Sequence, residues 1–169
     1  MNLKWIGVAM VLAGCGSVGF SMAASYRQRE RHFESLSRGI DFMVNSLQYR
    51  LTPLPELCGS AGIYIKGAIG AVLTQLSTEL DKQISPNAAC CMDMVLKRSR
   101  IPADVQRVLE QMGEELGRFD LTGQIQGLER VKQICRCELE LLHDGRDTRL
   151  RSYQTLGLCA GAALAILLI

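Results

Sequence analysis

RHFESLSRGIDFMVNSLQYRLTPLPE, residues 31–56, carries a long helix and its end in one line of sequence. Phe33, Leu36, Ile40, Met43, Leu47 and Leu51 recur at intervals of three and four. That is the period of an amphipathic α-helix, not the alternation of a half-buried strand. Thr52-Pro53-Leu54-Pro55-Glu56 ends this helix and starts another, because proline suits a first helical turn and breaks an interior one. Upstream, nothing interrupts the pattern between Ala24 and Arg38, so the helix is expected to run back into the apolar stretch before it as one rod.

That stretch, Trp5 to Ala24, is free of charge. Roughly 20 apolar residues at about 1.5 Å each span a bilayer core of about 30 Å. Trp5 and Tyr26 flank it, where amphipathic rings favour the headgroup level. A second apolar run closes the chain, with Tyr153 as an interfacial anchor and Arg151 able to snorkel. The expected organisation is a transmembrane helix at 5–24, a cytosolic helical domain at 25–152 and a second transmembrane helix at 153–169. Lys and Arg near spans favour the cytosol. Arg27, Arg29, Arg31 and Arg38 follow the first span, and Arg136, Arg146, Arg149 and Arg151 precede the second. Both asymmetries place the domain in the cytosol and both termini outside. The basic flanks suit anionic headgroups or a docked partner.

Small residues recur four apart in each run: Ala9, Ala13, Ser17 and Ser21 in one, Gly157, Gly161 and Ala165 in the other. Such stripes let helix backbones approach closely, although runs this rich in Gly and Ala produce them by chance as well. Leu12-Ala13-Gly14-Cys15 offers an alternative anchor. It resembles a bacterial lipobox, and lipidation of Cys15 would make the chain an exported lipoprotein with an outward-facing domain. Against this, the apolar run continues past Cys15, and arginines follow it.

The remaining stripes are also helical. Ile63, Ile69, Val72, Leu73, Leu76 and Leu80 form one, with Gly59, Gly62, Gly67 and Gly70 blurring its boundaries or permitting close contacts. Ser85-Pro86 is expected to open a short helix carrying Ala88, Met92, Val95 and Leu96. Ile101-Pro102 opens the next, with Val105, Val108, Leu109, Met112 and Leu116 inward, and Gly117 supplies a left-handed end. Asp120 caps a final helix with Leu121, Ile125, Leu128, Val131, Ile134, Leu139 and Leu142. Asp144-Gly145 looks like a kink or short break before the C-terminal run. The expected fold class is all-α, about six helices in a bundle, flanked by the two terminal transmembrane helices.

The chemistry is sparse. The net charge is +2, so there is no nucleic-acid footprint. No catalytic, cofactor-binding or metal-binding motif is present, and two histidines far apart leave a Ser-His-Asp arrangement little to work with. The seven cysteines form no CxxC pair, and Cys135 and Cys137 fall on different sides of a helix. Reduced thiols serving as small apolar residues are the simplest reading. Glu114, Glu115 and Asp120 form an acidic cluster at a helix junction, either a solvated capped turn or a docking patch.

Taken together, the N-terminal span, the junction Tyr49-Arg50-Leu51-Thr52-Pro53-Leu54-Pro55-Glu56, the stretch Leu116-Gly117-Arg118-Phe119-Asp120 with Gln124 after it, and the C-terminal span resemble the stage III sporulation protein AB family of endospore-forming bacteria. The resemblance covers nearly the whole chain. It implies a six-helix cytosolic domain similar to those of the F-type platform proteins of type II secretion and type IV pilus systems. It further implies a non-enzymatic scaffold in the channel between mother cell and forespore, in the mother-cell membrane. The implied partners are the lipid bilayer, a cytosolic secretion-type ATPase similar to stage III sporulation protein AA, and other stage III sporulation A-type membrane proteins; a homo-oligomer is compatible with this. Gly117, Asp120 and Gln124 match the family stretch; with Glu114 and Glu115 of the acidic cluster they make up the junction and docking candidates.

Overall fold

The structure, a computed structural model, describes the backbone of all residues except 1, 51, 83–86, 118–119 and 169. Side chains are described for these same residues apart from 2–23, 50 and 145–168. Six helices and no strand are found among them: α1 (Asn2–Arg50), α2 (Leu54–Ile65), α3 (Gly67–Asp81), α4 (Ala88–Lys97), α5 (Ala103–Glu115) and α6 (Leu121–Leu168). The packing divides the chain into two units, residues 29–139 and residues 1–28 with 140–169.

The expected single rod is α1, unbroken over 49 residues. The short break considered at Asp144-Gly145 is absent: α6 runs unbroken over 48 residues. An isolated glycine costs a helix only about 1 kcal/mol, and no proline follows to stop it. The small-residue stripes Ala9, Ala13, Ser17 and Ser21 and Gly157, Gly161 and Ala165, as well as Cys15, have their side chains outside the described residues. Among the described residues no helix is long and apolar enough to cross a membrane, and both terminal runs fall outside that set.

Within residues 29–139 the core follows the helical period. Phe33, Leu36, Ile40, Met43, Val44 and Leu47 of α1 are buried, against Leu57 of α2 and Ile69, Val72, Leu73 and Leu76 of α3 in the same core. From α5 come Val105, Val108, Leu109 and Met112, followed by Leu116 at its end, and from α6 Leu128, Val131 and Cys135. Among the described residues no polar or charged residue is buried. Each large apolar side chain removed from water contributes roughly 1.5–3 kcal/mol relative to exposure.

Three expectations change. Ile63 does not join the α3 stripe: Lys66 (φ 53°) and Gly67 (φ 68°) adopt left-handed backbone and split the segment into two helices, leaving Ile63 71% exposed. The cap of α4 is Asn87, whose Oδ1 accepts the Cys90 N–H at 2.9 Å, and not Ser85, which lies outside the described residues. Leu121, expected inside, sits in the first turn of α6 and is 37% exposed. Further along α6 Cys135 is buried, a small apolar residue in effect, while the adjacent Ile134 is half-buried.

The α2–α3 hairpin is closely packed. A Cβ added at Gly62 would lie 2.7 Å from the Gly70 carbonyl oxygen and 2.9 Å from the Thr74 amide nitrogen, and one at Gly70 would lie 2.5 Å from the Gly62 oxygen. Backbone meets backbone here, which only glycine allows.

Candidate docking surface

Two stretches distant in the chain arrive at the same pole of residues 29–139. The Thr52–Pro55 turn joins α1 to α2, and residues 116–120 join α5 to α6. A Cβ on Gly117 would stand 3.3 Å from Leu54 Cδ2, so the two junctions touch. The Asp41–Lys132 ion pair binds α1 to α6 further along. Together these contacts make α1 and α6 antiparallel within the unit. The chain enters at Arg29 and leaves at Leu139 at one pole, and the junctions form the other.

The α5–α6 junction is built by local chemistry. The Leu116 N–H bonds the Met112 carbonyl at 3.1 Å, and Leu116 itself is 2% exposed. Gly117 then turns left-handed at φ 74°, a conformation that costs a side-chain-bearing residue about 1 kcal/mol or more. Asp120 caps α6: its Oδ1 accepts the Gly123 N–H at 3.0 Å, and its carbonyl accepts the Gln124 N–H at 2.9 Å. A carboxylate there also faces the positive end of the helix dipole.

The sequence grouped Glu114, Glu115 and Asp120 as one acidic cluster, but the fold separates them. Glu115 turns onto α6, lying over Gly127, where an added Cβ would come 2.6 Å from its Oε2. Its Oε2 accepts a hydrogen bond from Arg130 Nη2 at 3.0 Å, with the carboxylate side chain 15% exposed. That pair is a clamp between helices and is occupied. Glu114 and Asp120 stay exposed, Gly117 is exposed, and Gln124 is half-buried. Arg118 and Phe119 lie outside the described residues.

The surface that sequence reasoning missed lies on α1 and α2. Arg38, Phe42, Asn45 and Tyr49 of α1 and Tyr64 of α2 line a groove. Phe42 and Tyr64 stack at 4.9 Å between ring centroids, inclined 19°. Tyr49 is 83% exposed and Tyr64 61%. One signal was available: Phe42 and Tyr49, two helical turns apart, lie off the stripe formed by Ile40, Met43 and Leu47, so α1 carries a second apolar face.

At the other pole Arg29 Nη1 lies 3.4 Å from Asp104 Oδ2, tying α1 to the first turn of α5. His32 sits near the same carboxylate. Burial lowers its pKa from 6.5, partly opposed by the Asp104 charge. Among the described residues no group of three His, Cys, Asp or Glu could hold a metal ion. Cys135 is buried and Cys137 exposed, as their spacing on α6 requires. Burial pushes the Cys58 and Cys135 thiols up to about 12.

No curated protein matches this sequence. Among solved structures, a chain described as stage III sporulation protein AB (SpoIIIAB) has a similar fold, with a TM-score of 0.61 and 17% identity over 72% of this chain and 98% of that one. At that identity the likeness speaks for the fold. The profile of the stage III sporulation protein AB family matches residues 4–169, which include both junction motifs. The chain therefore belongs to the stage III sporulation protein AB family.

Proposed function

We propose that this chain is a non-enzymatic membrane platform in a sporulation complex, and that its helical unit docks a cytosolic secretion-type ATPase. The two apolar runs, 5–24 and 153–169, anchor it in the mother-cell membrane, with the unit in the cytosol. Other membrane proteins of the same sporulation complex share the bilayer around it.

The observation that carries this reading is the junction pole. The family-like stretches around Pro53 and Asp120 meet there through Leu54 and Gly117. The pole is stiffened by a helix cap and by the Glu115–Arg130 clamp, and it lies opposite the point where the chain enters and leaves the unit. The unbroken course of α1 and α6 supports the same role, since each helix continues from the unit into an apolar run.

Protease access in intact and lysed protoplasts tests the topology. Digestion of the unit only after lysis is the expected result. Digestion in intact protoplasts would remove the cytosolic ATPase from consideration and bring lipidation of Cys15 forward. The full chain, reconstituted in nanodiscs, is expected to retain the companion ATPase, a protein similar to stage III sporulation protein AA, whereas empty nanodiscs do not.

A further inference from the structure

We infer that the α1–α2 groove receives an acidic, apolar-tipped helix of the docked ATPase, with Arg38 pairing its carboxylate and the Phe42, Tyr49 and Tyr64 rings holding its apolar side chain. This rests on the docking role proposed above and assigns it a surface and a chemistry.

Charge comes first. Asp41, which also lines the groove, is already paired with Lys132, whose side chain is only 15% exposed. That carboxylate is compensated from within the fold. Arg38 is different. It donates a hydrogen bond to Ser35 Oγ at 3.4 Å, a long and neutral one. Among the described residues no carboxylate forms an ion pair with it, so the groove presents a guanidinium without a charge partner there. A guanidinium offers a planar fork of donors that suits a carboxylate in two-point contact.

The apolar half follows. Tyr49 and Tyr64 leave most of their ring surface in water, and Ile63 beside Tyr64 is 71% exposed. These are large side chains to leave solvated, and Tyr and Arg are the residue types that concentrate binding energy at protein interfaces. Lone exposed apolar residues need no explanation, but three aromatic rings around one groove do.

The walls are also held before any partner arrives. Ile65 packs onto α1 at Gly39, where an added Cβ would come 3.1 Å from its Cδ1. The left-handed Lys66 and the close Gly62–Gly70 approach fix the end of α2. A preformed wall loses little freedom on binding, so more of the contact energy appears as affinity. An exposed face of a partner helix fits such a groove, with an apolar residue between the rings and an Asp or Glu one turn away reaching Arg38.

The test uses the full chain in nanodiscs and the companion ATPase as the probe. Arg38→Glu and Tyr64→Ser should each weaken binding at least roughly tenfold. Arg38→Lys keeps the charge but loses the fork, so its binding should fall between the wild type and Arg38→Glu. Raising the salt should weaken the wild type more than Arg38→Glu, because one charge pair has been removed. Both positions face solvent, so unchanged melting of each variant shows that the fold is intact. If the wild type binds and both variants bind equally well, the groove is refuted while docking stands. If the folded wild type fails to bind an active ATPase, the docking role falls and this inference falls with it.

Discussion

Replacing Gly62 by Ala should loosen the α2–α3 hairpin measurably. The added methyl would lie 2.7 Å from the Gly70 oxygen and 2.9 Å from the Thr74 amide nitrogen. Both are backbone atoms, so no rotamer change relieves the clash, and the two helices must move apart by several tenths of an ångström. Overpacking of this kind costs typically about 1–3 kcal/mol. Alanine returns up to about 1 kcal/mol through its better helix propensity, which leaves a net loss of about 1–2 kcal/mol. For a unit of this size, that lowers the melting temperature by about 5–10 °C. The assay heats the full chain in detergent with a thiol-reactive dye, which gains signal as the buried Cys58, Cys91 and Cys135 become accessible. Gly59→Ala is the internal control. Its methyl would meet the Ser77 side chain, Oγ at 3.0 Å, which can rotate away, so this variant should melt at or above the wild type. The reasoning fails if Gly62→Ala melts no lower than the wild type, or if Gly59→Ala falls equally far.

Asp120→Ala removes the cap on the Gly123 N–H and should cost about 1 kcal/mol, with Asp120→Asn restoring most of it in chemical denaturation. Gly117→Ala forces a side chain to φ 74° and should cost about 1 kcal/mol, and Asn should be tolerated better than Ala there; an unchanged unfolding midpoint would contradict the left-handed turn. His32 has a lowered pKa because burial disfavours its charged form, so the unfolded chain binds its proton more readily. Stability from this group is fully present above pH 6.5 and is lost as pH falls through the lowered folded value. A His32→Gln variant should therefore lose less melting temperature than the wild type over that range, and parallel curves would refute the assignment. Alkylation followed by mass spectrometry should modify the exposed Cys90 and Cys137 well before Cys58 and Cys135, whose thiols burial pushes up to about 12; equal rates would count against the burial of α2 and α6 in the core.

Much of the fold was legible because its signals act over a few residues. The stripe Phe33, Leu36, Ile40, Met43 and Leu47 is buried as its period requires, and the same holds for Val105, Val108, Leu109 and Met112. Gly117 and Asp120 perform the local tasks their residue types suggest, a left-handed turn and a cap. Errors arose where one local signal competed with another. Ile63 continues a helical stripe on paper, but the left-handed pair Lys66 and Gly67 ends the helix first. At Asp144-Gly145 the reverse happened, because a single glycine was too weak a breaker to stop α6.

The candidate site was less legible. Glu114, Glu115 and Asp120 look alike as a string of carboxylates, yet Glu115 is committed to Arg130 fifteen residues on, while Glu114 remains in water. The aromatic groove was hidden because Phe42 and Tyr49 belong to α1 and Tyr64 to α2, and their proximity depends on how those helices cross.

Helical class, the apolar character of both ends and the chemistry of the caps were determined by the sequence alone, since period, transfer free energy and capping all act within a turn or two of the chain. The meeting of Leu54 with Gly117, the backbone contact of Gly62 with Gly70, the burial of Glu115 against α6 and the assembly of the aromatic groove were decided by tertiary structure. Each of these joins residues on different elements, and their positions follow from the packing of the whole core rather than from any local preference.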